Sequence, residues 1–213
     1  MVKRIVVLVS GRGSNLQALI AGVETGSISG KIVGVISDRT DAVAIEKAKY
    51  EKIATSVVDA KTTRSHNHFE TTLMNAVQQY QPDLILLAGF MRILSAQFVK
   101  FFAGSIMNIH PSLLPAYKGL NTHRRVLAAG EKAHGCSVHF VTSELDGGPL
   151  IAQARVSVKA DDTPQTLAQR VLLEEHRIYP YAVALFCADR IKMDGGECLL
   201  DDKVLEQPLH LNQ

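Results

Sequence analysis

Asn108 and His110 stand two apart in GSIMNIHPSLLPAYKGL, residues 104–120, and are residue types that can work on a carbonyl. On a strand, side chains two apart leave the same face. An amide there stabilises negative charge building on an oxygen, and an imidazole beside it moves a proton. Asp146, in ELDGGP, supplies a carboxylate. Near an imidazole, a carboxylate favours the protonated ring and fixes its orientation. Together the three suit attack of an amine on a carbonyl carbon. The plainer alternative makes His110 a packing residue ahead of Pro111 and Asp146 a turn former ahead of Gly147. Spacing alone leaves both open.

Gly11-Arg12-Gly13-Ser14-Asn15 is a second candidate. Glycines let the chain turn tightly, and N–H groups at a helix start favour an anion. Leu16 stands where a dinucleotide fingerprint has its third glycine, and the Gly-Lys-Ser/Thr ending of a P-loop is absent. A phosphate monoester therefore fits better than a pyrophosphate; a plain structural turn is the alternative. Arg64, Arg92, Arg124 and Arg125 offer forks for carboxylates or phosphates, and Arg92 follows a predicted strand end, where open sheets bind ligands. Glu174, Glu175 and His176 either bond sugar hydroxyls or solvate a helix face. His110, His123, His134 and His139 lack paired metal-ligand spacing, so no metal site is expected. Cys136 reads as buried filler, because no partner signature activates it as a nucleophile.

Positioning these groups takes a scaffold. Residues 5–9, IVVLV, form a continuous β-branched run, as in a strand buried on both faces of a parallel sheet. A helix follows near Ser14 or Asn15. Strands at 30–37, 54–58 and 84–88 alternate with helical patterns at 42–50 and 62–80. This βαβαβαβ order predicts right-handed crossovers and helices on both sheet faces. A short helix at 95–102 capped by Ser95, a fifth strand at 105–109 and a helix at 122–129 closed by Gly130 come next. The pattern then changes. Alternation at 136–142 and 150–158 around Gly147-Gly148 predicts an antiparallel pair. A helix over 166–178 is expected to break or kink at Pro180 before a helical run over 181–189. The polar tail from 192 to 213 adds a small hairpin or hangs free.

The 213 residues suffice for one domain with a real core, and 46% hydrophobic with 21% charged residues suits a soluble globular chain. A net charge of +2 carries no nucleic-acid footprint. Three widely spaced cysteines make no disulfide framework. The first apolar run is too short for a signal peptide, and no stretch approaches transmembrane length. A soluble cytoplasmic protein is expected, without nucleic-acid or membrane partners.

SGRGSN at 10–15, LAGFMRIL at 87–94, NIHPSLLPAYKGLNTH at 108–123, HFVTSELDGGP at 139–149 and EEHRIYP at 174–180 occur together and in order. With them the chain resembles the folate-dependent formyltransferase family, in its glycinamide-ribonucleotide branch, from Val2 to about residue 193. The resemblance implies a single-domain, Rossmann-like α/β formyltransferase fold over residues 1–193, a mostly parallel sheet flanked by helices with antiparallel strands in the C-terminal half. Residues 194–213 would be a tail. It implies 10-formyltetrahydrofolate as cosubstrate, with no tightly bound cofactor, and glycinamide ribonucleotide as acceptor in purine biosynthesis. Catalytic roles would fall on Asn108, His110 and Asp146. Gly13, Ser14 and Asn15 would hold the acceptor phosphate and Glu175 its ribose. The folate would lie near Arg64, Met91, Arg92, Ile93 and Leu94, with Asn108 and the loop Thr142, Ser143, Glu144, Leu145 and Asp146 around its pterin. The chain would act as a monomer or homodimer. A formyltetrahydrofolate hydrolase is the neighbouring alternative; such chains carry a regulatory domain for which residues before Val2 leave no room. A non-catalytic nucleotide-binding module is the other. Convergence of Asn108, His110 and Asp146 on one cleft distinguishes enzyme from binder.

Overall fold

The computed structural model describes residues 1–63 and 65–211, the side chain of His66 excepted. Elements run β1 (Lys3–Val9), α1 (Ser14–Glu24), β2 (Gly30–Ser37), α2 (Val43–Tyr50), β3 (Thr55–Val57), α3 (His66–Gln79), β4 (Leu84–Leu87), α4 (Ala96–Phe101) and β5 (Ile106–His110). After them come α5 (Thr122–Ala128), β6 (Ala133–Phe140), β7 (Leu150–Ser157), α6 (Pro164–Cys187), β8 (Ile191–Asp194), β9 (Glu197–Leu200), β10 (Lys203–Val204) and β11 (Leu209–His210).

The main sheet has eight strands in the order β11-β7-β6-β5-β4-β1-β2-β3. β1 to β5 are mutually parallel where they pair, as the alternating strand and helix patterns require. β6 runs antiparallel to both β5 and β7. The chain end returns, and β11 pairs parallel to β7. β8, β9 and β10 form a separate antiparallel sheet, so the tail hairpin starts within residues assigned to the main pattern. The continuous apolar reading of β1 has a direct cause. Ile5, Val7 and Val9 face a core shared with α1, α2 and α6, while Val6 and Leu8 face a second core under α3 and α4. Each such side chain contributes roughly 1.5–3 kcal/mol on burial.

β1 sits between β2 and β4, so the strand order reverses at its carboxyl end. Such a switch point opens a crevice between loops that diverge to opposite sides. The Gly11–Asn15 turn follows β1, the segment from Gly89 follows β4, and Asn108 and His110 end β5. All lie at one edge of the sheet, with β5 two strands or about 10 Å from β1.

Of the two outcomes expected at Pro180, a break or a kink, the first is ruled out: α6 is continuous from Pro164 to Cys187 with Pro180 inside it. Proline in a helix interior costs about 3 kcal/mol or more. Here Ile178, Tyr179, Ala182 and Val183 flank it, all fully buried, and their packing outweighs the lost hydrogen bond. The Tyr179 hydroxyl further ties the helix to the sheet, facing the carbonyls of Leu87 and Met107 at 3.1 Å each. A capping box starts the helix, Thr163 and Thr166 each accepting from the other's backbone N–H.

Candidate active site

β5 places Met107 and Ile109 in the α6-side core and turns Asn108 and His110 to the opposite face. Asp146 reaches them from the loop between β6 and β7. Its Oδ2 lies 3.4 Å from His110 Nδ1 and accepts the Gly119 N–H at 2.8 Å. The loop is tight because Gly148 lies so near β6 that a Cβ there would sit 1.8 Å from the Phe140 carbonyl oxygen. Asp146 itself adopts a left-handed backbone, φ 48°. The other imidazole nitrogen of His110, Nε2, lies 3.1 Å from the Tyr117 carbonyl. Both ring nitrogens thus face oxygen acceptors, the Asp146 carboxylate on one side and the Tyr117 carbonyl on the other. The His110 and Asp146 side chains are 8% and 9% exposed, so their interaction is little screened.

His139, weighed above only as a metal ligand, belongs to this cluster. It stands directly opposite Asn108 across the β5–β6 pair. Its Nδ1 lies 2.8 Å from the Phe140 carbonyl and so carries the hydrogen. Nε2 is then the acceptor and receives the Asn108 amide N–H at 3.2 Å. Burial holds the His139 ring below its ordinary proton affinity, which keeps that acceptor free. Asp146 Oδ1 is 3.9 Å from the same Nε2. The position was hidden in the sequence because only the β5–β6 register brings it beside Asn108. Among the described residues, no group of three or more His, Cys, Asp or Glu side chains is arranged to hold a metal. His123 and His134 pair with each other instead, Nδ1 to Nε2 at 3.0 Å.

The glycine turn is built for close approach. Gly13 is the N-cap of α1, with φ 69°, and a Cβ on it would lie 2.7 Å from that of Ala44. No side chain caps α1, which leaves first-turn N–H groups for an anion. Asn15 Nδ2 donates to Glu175 Oε2 at 2.7 Å, bringing together two residues far apart in sequence. Burial raises the Glu175 pKa, and the Asn15 bond offsets part of that rise. Asn15 Oδ1 is buried without a hydrogen-bond partner among the described residues.

The segment after β4 is fixed from outside. Ser10 Oγ accepts the Met91 N–H at 2.8 Å, and the buried Glu70 accepts both the N–H and the hydroxyl of Ser95. Met91 and Ile93 project outward, 67% and 70% exposed, whereas the Leu94 side chain joins the α3–α4 core. Arg92 is half-exposed and bonds Asp38. In the facing loop Thr142 is half-buried, Ser143, Glu144 and Leu145 are exposed, and Glu144 pairs with Lys118 at 2.6 Å. Arg64 lies outside the described residues.

The sequence matches the formyl transferase family over residues 3–183. It is 47% identical over 201 residues to a phosphoribosylglycinamide formyltransferase of Escherichia coli, covering 94% of this chain and 95% of that one. A Haemophilus influenzae protein of the same name is 39% identical, covering 99% of this chain and 100% of the relative. The structure resembles that of the phosphoribosylglycinamide formyltransferase of Coxiella burnetii with a TM-score of 0.92, 48% identity and 96% of each chain covered. The chain belongs to the phosphoribosylglycinamide formyltransferase family.

Proposed function

We propose that the chain transfers the formyl group of 10-formyltetrahydrofolate to the glycyl amine of N1-(5-phospho-D-ribosyl)glycinamide. The products are tetrahydrofolate and the N2-formyl ribonucleotide, a step of IMP biosynthesis in the cytoplasm. The carrying observation is the placement of Asp146 within 3.4 Å of His110, on the strand face that also presents Asn108. An uncapped helix start beside Glu175 supports a sugar-phosphate acceptor at the neighbouring turn. Among the described residues, no helix is long and apolar enough to cross a membrane.

In this reading Gly13, Ser14 and Asn15 hold the acceptor phosphate and Glu175 its ribose hydroxyls. Met91, Arg92, Ile93 and Leu94 line one side of the folate. The loop Thr142 to Asp146 lines the other, and Arg64 completes the set. The free amine attacks the formyl carbon, and the carbonyl electrons move to oxygen. Asn108 uses one amide hydrogen on His139 and has a second for that oxyanion. His110, oriented by Asp146, supplies positive charge and a proton-transfer group. Collapse breaks the carbon–N10 bond, and N10 receives the proton that the amine releases. Folate is thus a consumed cosubstrate. The test follows tetrahydrofolate absorbance with purified protein and 10-formyltetrahydrofolate, with and without the glycinamide ribonucleotide. Release that depends on the acceptor supports transfer; equal release without it establishes hydrolysis instead.

A further inference from the structure

We propose that Arg125 is a positioning residue for formyl transfer, holding the segment Tyr117-Lys118-Gly119 in the conformation that sets His110 against Asp146. The proposal rests on the formyl-transfer reading and extends it to a residue of α5. Three consecutive residues of that segment each reach the site. The Tyr117 carbonyl lies 3.1 Å from His110 Nε2. Lys118 Nζ donates to Glu144 Oε1 at 2.6 Å, on the loop that carries Asp146. The Gly119 N–H donates to Asp146 Oδ2 at 2.8 Å, the same oxygen that faces His110 Nδ1. His110 comes from β5 and Asp146 from the loop between β6 and β7, so one strap grips both sides of the pair.

The strap needs a hold from outside. Tyr117 and Asn121 both adopt left-handed backbones, φ 57°, which residues with a side chain keep only where their surroundings enforce it. An ion pair such as Lys118–Glu144 contributes little by itself, the Glu144 side chain being 69% exposed. Arg125 supplies the hold. Its Nη1 donates to the Lys118 carbonyl at 2.6 Å and reaches the Leu120 carbonyl at 3.5 Å. Its guanidinium also lies over the Tyr117 ring, 5.4 Å from Cζ to the centroid, and the ring hydroxyl donates to Glu131 at 2.8 Å. The fork that could have met a carboxylate or phosphate is thus turned on the chain's own carbonyls. The adjacent Val126 is fully buried and fixes α5 to the core. Among the described residues Arg125 has no hydrogen bond to Asn108, His110 or Asp146, so it acts through the strap. A misplacement of about 1 Å made far from the chemistry can cost about a hundredfold. The strap aligns reacting groups rather than gripping ligands, so its loss appears in kcat and leaves both KM values in place.

The experiment compares R125A, R125M and R125K with the unmodified protein, and R125A again in the H110A background, by steady-state and single-turnover kinetics. Far-UV circular dichroism and Tm establish that each variant is folded. R125M keeps an apolar stem over Tyr117 but cannot donate, and it carries the comparison should R125A be unstable. The expected result is a kcat and single-turnover rate about tenfold lower in R125A and R125M, near the lower end for one hydrogen bond from a charged donor. Donor and acceptor KM stay within about twofold. R125K keeps a cationic donor without the planar fork and recovers to within about threefold of the unmodified rate. In H110A the added R125A costs less than about twofold, because its effect runs through His110. Unchanged kcat in folded R125A or R125M, a change confined to KM, no recovery in R125K, or losses that multiply in the H110A background overturn the proposal. Absence of acceptor-dependent turnover in the unmodified protein overturns the functional reading, a different outcome from normal turnover insensitive to Arg125.

Discussion

Asn108 and His139 face each other across the β5–β6 pair, with the amide nitrogen 3.2 Å from imidazole Nε2. The relationship sets which end of the amide points at the reaction. An amide can flip end for end, and only a neighbour that must accept decides the matter. With Nδ1 committed to the Phe140 carbonyl, His139 is that neighbour. H139A should therefore lower kcat about tenfold, the loss of one oriented donor being only partial, with both KM values little changed. In N108A the second substitution should add almost nothing. Steady-state kinetics of the two single variants and the double variant check this; additive losses would separate the residues.

Tyr179 joins α6 to the sheet beside the same site. Removing its hydroxyl in Y179F leaves the buried Leu87 and Met107 carbonyls without that donor. The expected destabilisation is about 1–2 kcal/mol, read as a lower urea midpoint at unchanged m-value. A midpoint equal to that of the unmodified protein would show that the bond contributes nothing net.

Acid should unfold the protein through its buried histidines. Burial, reinforced by the nearby His123 and His110, holds His134 down to about 4 from an ordinary 6.5. His123 and His139 are lowered too, chiefly by burial. The folded state then binds fewer protons than the unfolded chain. The stabilisation is complete above pH 6.5 and is lost as pH falls toward 4. For His134 the full loss is on the order of 3 kcal/mol. Urea midpoints measured from pH 7.5 down to 4.5 should fall steeply, and H134Q should flatten the slope. Parallel profiles for the two proteins would remove His134 as the cause.

The loop carrying Asp146 needs its second glycine. In G148A the new methyl would overlap the Phe140 carbonyl, so the loop must move and carry Asp146 with it. Turnover should drop at least about tenfold, since displacement by an ångström is enough to lose that much. In G147A the nearest atoms to the new methyl belong to the movable Glu144 side chain, so the effect should be milder. Equal activities of the two variants would contradict the assignment.

Much of this architecture was readable in the residues. Short β-branched runs and helical spacing gave the order of β1 to β5, and Ser95 was recognisable as the cap of α4, where it accepts the Phe98 N–H. Asn108, His110 and Asp146 could be named from residue type and motif, and the structure brings them together. What stayed hidden depended on contacts between distant segments. The β5–β6 register pairs Asn108 with His139, and no local pattern encodes it. Pro180 reads as a helix breaker, and only the buried neighbours on α6 overrule it. The Asp38–Arg92 bond is likewise long-range, since Arg92 arrives from the far side of β1.

The kinetics of H110A test the central claim most directly. If His110 moves the proton and bears the charge for formyl transfer, kcat falls at least about a hundredfold while KM for the acceptor, held elsewhere, stays within a few-fold. A folded H110A protein with near-normal turnover would contradict the account.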